Sequence, residues 1–167
     1  MFPEPLLARA AALIARYRAL GWMIATAESC TGGLVSGLLT EIAGSSAVLE
    51  RGFVVYSNRA KQDLLGVSAQ TLAEFGAVSA ETVREMALGA LAHSAADVAV
   101  SITGIAGPDG GTPQKPVGLV HFGVARRGGA VVLAERRFSE IGRREIRTAA
   151  VEVALEMLDA SRLEAKD

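Results

Sequence analysis

Residues 97–103, Asp-Val-Ala-Val-Ser-Ile-Thr, form a short apolar run rich in β-branched side chains, the pattern of a strand buried on both faces. A strand with two dry faces needs a layer packed on each side of its sheet, so helices must cover both sides. The chain supplies them. Pro5 suits a first helical turn, and Leu6, Ala10, Leu13, Ile14 and Tyr17 repeat on one face before Gly21. Residues 22–27 read as a strand, and Leu34, Val35, Leu38, Leu39 and Ile42 give the apolar stripe of a second helix. Gly44-Ser45-Ser46 is a break before a strand expected over residues 52–56. Ser57 and Asn58 cap a helix over about residues 59–65 that ends at Gly66, and residues 68–75 read as a short turn before Gly76. Ser79 opens a longer helix with a buried stripe of Val83, Met86, Ala87, Ala90 and Leu91.

Beyond Thr103 the order changes. Residues 103–117 carry Gly104, Gly107, Gly110, Gly111, Pro108, Pro113 and Pro116, too broken for helix or strand, and loops of this length in compact domains are often functional. Residues 117–125 and 130–138 then read as strands joined through Arg126-Arg127-Gly128-Gly129, a hairpin turn. A hairpin added to crossover-connected strands makes the sheet mixed. Ile146, Ala150, Val153 and Met157 mark a last helix, and the polar tail from Arg162 is expected to fray. The expected fold is therefore an α/β chain with a three-layer α/β/α arrangement and a mixed sheet, one domain over residues 1–167. Ligands of such folds collect beyond the carboxyl ends of strands, which selects residues 28–33, 56–61 and 103–111.

Composition narrows the ligand. Seventeen basic residues against eighteen acidic ones leave a formal charge of -1, so no global field favours nucleic acid or an anionic membrane, and an anionic ligand has to be met locally. One cysteine excludes an internal disulfide, and two histidines beside it fall short of a zinc ligand set. A metal-free protein of the reducing cytoplasm is expected. Glu4, Arg9, Arg16 and Arg18 interrupt the apolar amino-terminal residues, which fits an amphipathic helix rather than a signal peptide or membrane span. An open sheet edge and 50% hydrophobic residues leave room for a homo-oligomer.

The run Ala27-Glu28-Ser29-Cys30-Thr31-Gly32-Gly33 sits where the first strand turns into a helix. Unpaired N–H groups of a first helical turn can hold a phosphate or a developing oxyanion. Ser29 lies beside that donor cluster, as a nucleophile or as a simple N-cap. Gly32 and Gly33 open the backbone to a ligand or merely make a tight turn. A serine needs a base, and the two histidines are poorly placed: His93 comes late in a helix, where it caps, and His121 alternates with Leu119 in a strand. Lysine serves instead if burial lowers its pKa, and Lys61, on the first turn after Tyr56, is the best placed; its plain alternative is a solvated helix lysine. Tyr56 either passes protons or fills the sheet edge. Thr31 and Thr103 are ligand hydroxyls or caps. Cys30 is the rival nucleophile and ranks behind Ser29 for want of a histidine partner. Arg143 or Arg144 with Arg147 could clamp a phosphate, or form an exposed cluster with Glu140 and Glu145.

Together these segments resemble the CinA family, specifically its carboxy-terminal domain, which also occurs alone as a nicotinamide mononucleotide deamidase. The matching pieces are the run from Ala27 to Gly33, Gly52-Phe53-Val54-Val55-Tyr56-Ser57-Asn58, Lys61, Gly76-Ala77-Val78-Ser79, Thr103-Gly104-Ile105-Ala106-Gly107-Pro108-Asp109-Gly110-Gly111, Lys115-Pro116-Val117-Gly118, and Arg144 with Arg147. They cover most of the chain in order. One departure is Arg143, where the family usually has an acidic residue before the first late arginine. The resemblance implies hydrolysis of the carboxamide of a pyridine mononucleotide, without cofactor or metal. Ser29 would attack, Lys61 would take the proton, Tyr56 would relay it to departing ammonia, and N–H groups near residues 31–33 would hold the oxyanion. Substrate contacts would fall on Cys30, Thr31, Gly32, Gly33, Thr103, Gly104, Ala106 and Gly107, with Arg144 or Arg147 on the ribose phosphate. Family members with an additional domain resembling molybdopterin-binding proteins have functions not expected of this chain. A silent nucleotide-binding module and a Cys30-dependent amidohydrolase are the competing expectations.

Overall fold

The computed structural model describes residues 2–139 and 141–161. Five strands form one sheet in the order β2-β1-β3-β4-β5, where β1 is Ile24–Glu28, β2 Leu49–Val54, β3 Val98–Gly104, β4 Leu119–Arg126 and β5 Val131–Arg137. β1 pairs in parallel with both β2 and β3, whereas β4 runs antiparallel to β3 and to β5. The mixed sheet and its terminal hairpin are as expected. All of β1 is buried, and β3 is buried through Thr103, which is why neither run shows polar alternation.

Helices cover both faces. Helices α1 (Glu4–Leu20), α2 (Leu34–Thr40) and α6 (Arg143–Ser161) close one side over a core containing Leu13, Tyr17, Ile24, Leu38, Ile102, Phe122 and Ile146. On the other side α3 (Asn58–Leu65), α4 (Ala69–Phe75) and α5 (Ala80–Ala92) pack over Ala25, Ala27, Leu65, Met86, Ala90 and Ala99. Small side chains dominate this second core. The stripe read for α1 is buried as expected, and Gly21 ends that helix in the left-handed conformation (φ 67°). Among the described residues no helix is long and apolar enough to cross a membrane.

Three local expectations need correction. β1 begins at Ile24 and runs one residue further, through Glu28. β2 occupies residues 49–54 rather than 52–56, because pairing starts where the Ile24 N–H donates to the Val48 carbonyl (2.7 Å) and Leu49 stands opposite Ile24. The strand takes in the charged pair Glu50 and Arg51, which an edge strand tolerates. Residues 68–75 are not a turn: Ser68 caps α4, its Oγ accepting from the Gln70 and Thr71 N–H groups. The tail from Arg162, and Glu140 in the proposed arginine cluster, lie outside the described residues.

Gly89, inside α5, lets the backbone of α3 approach closely, since a Cβ there would collide with the Leu65 carbonyl. Gly89→Ala is expected to destabilise by about 1–3 kcal/mol through overpacking, lowering Tm by roughly 2–12 °C in calorimetry. An unchanged Tm would contradict this contact.

Candidate active site

The first site segment begins at the end of β1. The ladder continues one residue beyond the strand, with the Ser29 N–H donating to the Ile102 carbonyl (3.0 Å). The chain then turns sharply through Gly32 (φ 61°) and Gly33 (φ 93°), left-handed positions that suit glycine. Glu28 holds this turn from within. It is fully buried, and its carboxylate accepts from the N–H groups of Gly33 (3.0 Å), Val35 (3.0 Å) and Ser36 (2.9 Å). The hydroxyls of Ser36 (3.0 Å) and Thr26 (3.1 Å) donate to it as well. The first turn of α2 is thus occupied by a protein carboxylate.

That arrangement corrects the expected oxyanion donors. The Gly33 N–H serves Glu28, and the Gly32 N–H donates to the Ser29 carbonyl (3.1 Å). Among the described residues no oxygen takes the N–H of Cys30 or Thr31, so of the donors expected over residues 31–33 only Thr31 is left, with Cys30 beside it.

Lys61 is delivered by α3, whose first turn is capped by Ser57 through its Oγ and the Ala60 N–H (3.0 Å). Its side chain is only 1% exposed, which removes the solvated alternative. Nζ lies 3.0 Å from the Ser29 Oγ, 3.0 Å from the Val55 carbonyl and 3.3 Å from the Tyr56 carbonyl. Among the described residues no carboxylate forms an ion pair with it. Burial therefore pushes its pKa down from 10.5, against a smaller opposing influence of Cys30. An amine so placed against a serine hydroxyl has the geometry a base needs beside a nucleophile.

Cys30 is buried, and desolvation pushes its thiol up to about 12. It stays a thiol at neutral pH. His93 caps α5, with Nδ1 at 2.8 Å from the Gly89 carbonyl. His121 stands 3.8 Å from Glu135, and burial holds its imidazole below the ordinary value. Neither histidine hydrogen-bonds Ser29.

The remaining candidates separate. Tyr56 is 63% exposed at the mouth of the site, and its hydroxyl accepts from the Arg143 guanidinium (3.3 Å). Arg143 also donates to the Gly107 carbonyl (2.6 Å), beside a cavity of about 220 Å³ lined by Ala106, Pro108, Val117, Gly142 and Arg143. Arg147 lies one turn on and donates to the carbonyls of Cys30 (3.1 Å) and Thr31 (2.9 Å). Arg144 and Arg147 both line a second groove, of about 650 Å³, with Phe2, Pro3 and Leu34, whereas Arg143 lines the smaller cavity beside Gly107 and Tyr56. Thr103 is buried, its hydroxyl donating to the Ala77 carbonyl (2.7 Å), and Gly104 packs on Val120. Thr31 is fully buried, and its hydroxyl has no partner.

A family model for the CinA C-terminal domain matches residues 7–161. The chain belongs to the CinA C-terminal domain family. The nicotinamide-nucleotide amidohydrolase PncC of Enterobacter agglomerans is 58% identical to it over 125 residues, 75% of this chain and 76% of the relative. The protein of the same name from Escherichia coli K12 is 52% identical over 141 residues, 84% and 85% of the two chains. The crystal structure of competence/damage inducible protein CihA from Agrobacterium tumefaciens superposes with a TM-score of 0.94 at 56% identity, covering 96% and 97% of the chains.

Two features of this CinA domain escaped the sequence reading. Glu28 stood in the motif without a role, although an acidic residue ahead of a Gly-Gly turn and a helix is a recognisable capping signal. Arg143 was named with Arg147 as one possible clamp but left out of the residues that the resemblance put on the phosphate, and its contacts with Tyr56 and Gly107 had no sign in the sequence. For Cys30, moving the thiol from 9.0 to about 12 leaves about a thousandfold less thiolate near pH 8. The folded protein is expected to resist a disulfide thiol reagent that reacts within minutes after denaturation. Equal rates in the two states would contradict the burial.

Proposed function

We propose that the chain is a nicotinamide-nucleotide amidohydrolase, converting nicotinamide mononucleotide and water into nicotinate mononucleotide and ammonia. The contact between the buried Lys61 amine and the Ser29 hydroxyl, 3.0 Å, carries this reading, and the names of the 52–58% identical relatives agree with it.

In the first half-reaction Ser29 Oγ attacks the carboxamide carbon while neutral Lys61 accepts its proton. The carbonyl oxygen becomes an oxyanion facing the N–H groups of Cys30 and Thr31. Collapse breaks the carbon–nitrogen bond, and the proton held by Lys61 passes to the departing nitrogen, with the Tyr56 hydroxyl as a relay at the mouth. Water then attacks the acyl ester with Lys61 again as base, releasing the carboxylate and restoring Ser29. Arg143, beside Tyr56 and Gly107, is the guanidinium we place on the ribose phosphate.

Ammonia release from nicotinamide mononucleotide tests the scheme. Ser29→Ala and Lys61→Ala are each expected to lower kcat by about a thousandfold or more, while Cys30→Ala keeps turnover within severalfold. Loss in Cys30→Ala with retention in Ser29→Ala would reverse the nucleophile. Binding without ammonia release by the wild-type protein would instead make the chain a silent nucleotide-binding module.

The pH profile gives a second test. Lys61 works as a base only when neutral, so kcat is expected to rise with pH through a limb whose midpoint lies below 10.5, because burial lowers that pKa. Lys61→Arg keeps the group charged at all these pH values and is expected to be inactive throughout. A flat wild-type profile would contradict lysine as the base.

A further inference from the structure

Arg147 is the group whose placement says most about the turn. Two peptide units present the donors proposed for the oxyanion. A trans peptide points its carbonyl and its N–H in opposite directions, and among the described residues the one cis bond joins Gly107 to Pro108. Whatever holds a carbonyl therefore aims the N–H of the next residue. The Ser29 carbonyl is held by the Gly32 N–H (3.1 Å), which aims the N–H of Cys30. The Cys30 carbonyl is held by Arg147 Nε (3.1 Å), which aims the N–H of Thr31.

The second contact of Arg147 closes the set. Its terminal nitrogen takes the Thr31 carbonyl at 2.9 Å, and the N–H on that peptide belongs to Gly32, which in turn holds Ser29. The Thr31 N–H is thus oriented directly by the guanidinium on α6, and the Cys30 N–H through the Gly32 peptide, whose carbonyl on Thr31 accepts from Arg147 and also from the Leu34 N–H (3.3 Å). Glu28 gathers N–H groups of Gly33, Val35 and Ser36 on the inner side, while Arg147 gathers the carbonyls of Cys30 and Thr31. Opposite charges hold the two ends of one turn. A Cβ on Gly32 would stand in ordinary contact with the guanidinium, 3.5 Å away, so it is the positive φ of 61° that favours glycine there.

We propose that Arg147 is a positioning residue that aims the Thr31 N–H at the oxyanion, rather than a ligand of the substrate phosphate. The proposal rests on the amidohydrolase reading. Two of the five N–H donors of the guanidinium serve backbone carbonyls, and on this proposal those two contacts, rather than a contact with the nucleotide, carry its effect on the reaction. A planar fork can hold two carbonyls at fixed angles, which a lysine ammonium does not.

The test separates kcat from binding. In Arg147→Ala, kcat for nicotinamide mononucleotide is expected to fall about a hundredfold, as when an oxyanion donor is lost. Introduced into Ser29→Ala, the same change should leave the calorimetric Kd of nicotinamide mononucleotide within about threefold, whereas loss of a phosphate clamp would weaken it by about tenfold or more. Added guanidinium ion at millimolar concentration is expected to restore part of kcat in Arg147→Ala. If Arg147→Ala does not fold, Arg147→Lys carries the comparison, with low kcat and unchanged Kd expected. A tenfold weaker Kd, or a kcat within threefold of wild type, overturns the proposal. Wild-type protein that releases no ammonia sinks the amidohydrolase reading and this proposal with it; turnover insensitive to Arg147→Ala sinks the proposal alone.

Discussion

A carboxylate with no access to solvent organises the reactive end of this sheet. Removing a charge from water is expensive unless donors replace the lost hydration, and Glu28 obtains five of them from the backbone and hydroxyls of α2 and β1. Those contacts couple the end of β1 to the beginning of α2. The residues between, from Ser29 to Gly32, have little freedom left. The same coupling explains why a helix start that looks like an anion site from the sequence is not one: its positive end is already matched.

The second constraint is the burial of an amine. Lys61 reaches Ser29 across 32 sequence positions because β2 lies beside β1 and α3 folds back over their ends. Its linkage to stability follows from the direction of its shift. Between the lowered native pKa and 10.5 the unfolded chain holds a proton that the folded chain does not, so stability rises with pH across that window. Below the window the charged amine is buried in the native state, and the fold carries that penalty in full. The buried amine is thus kept at the expense of stability, as groups at functional sites often are.

Much of the fold was legible because its signals are local. The doubly buried run of β3, the stripes of α1 and α5, and the glycine turn of the last hairpin all follow from spacing and composition. Residues 68–75 were misread because a helix of seven residues offers too few turns to show a period, so Ser68 was the only usable sign. Within the site, Ser29 and Lys61 could be nominated from chemistry, but their meeting depends on strand order, which is non-local. The choice between Arg143 and Arg144 is of the same kind: spacing says which arginines share a face, and only the packing of α6 says which face meets the site. Glu28 gave a capping signal by its place ahead of the turn, but which groups it binds was not legible, because its partners are mostly backbone N–H groups, which carry no identity in a sequence.

The close approach at Gly89 has a bearing on the chemistry at the far side of α3. Leu65, whose backbone passes against Gly89, lies one helical turn beyond Lys61, and the Lys61 carbonyl accepts from the Val67 N–H just past the helix end (3.1 Å). The amine therefore takes its depth in the protein from how near α5 allows α3 to settle. A missing side chain on the neighbouring helix works here as a spacer setting, fixing how far the Lys61 amine reaches toward the Ser29 hydroxyl.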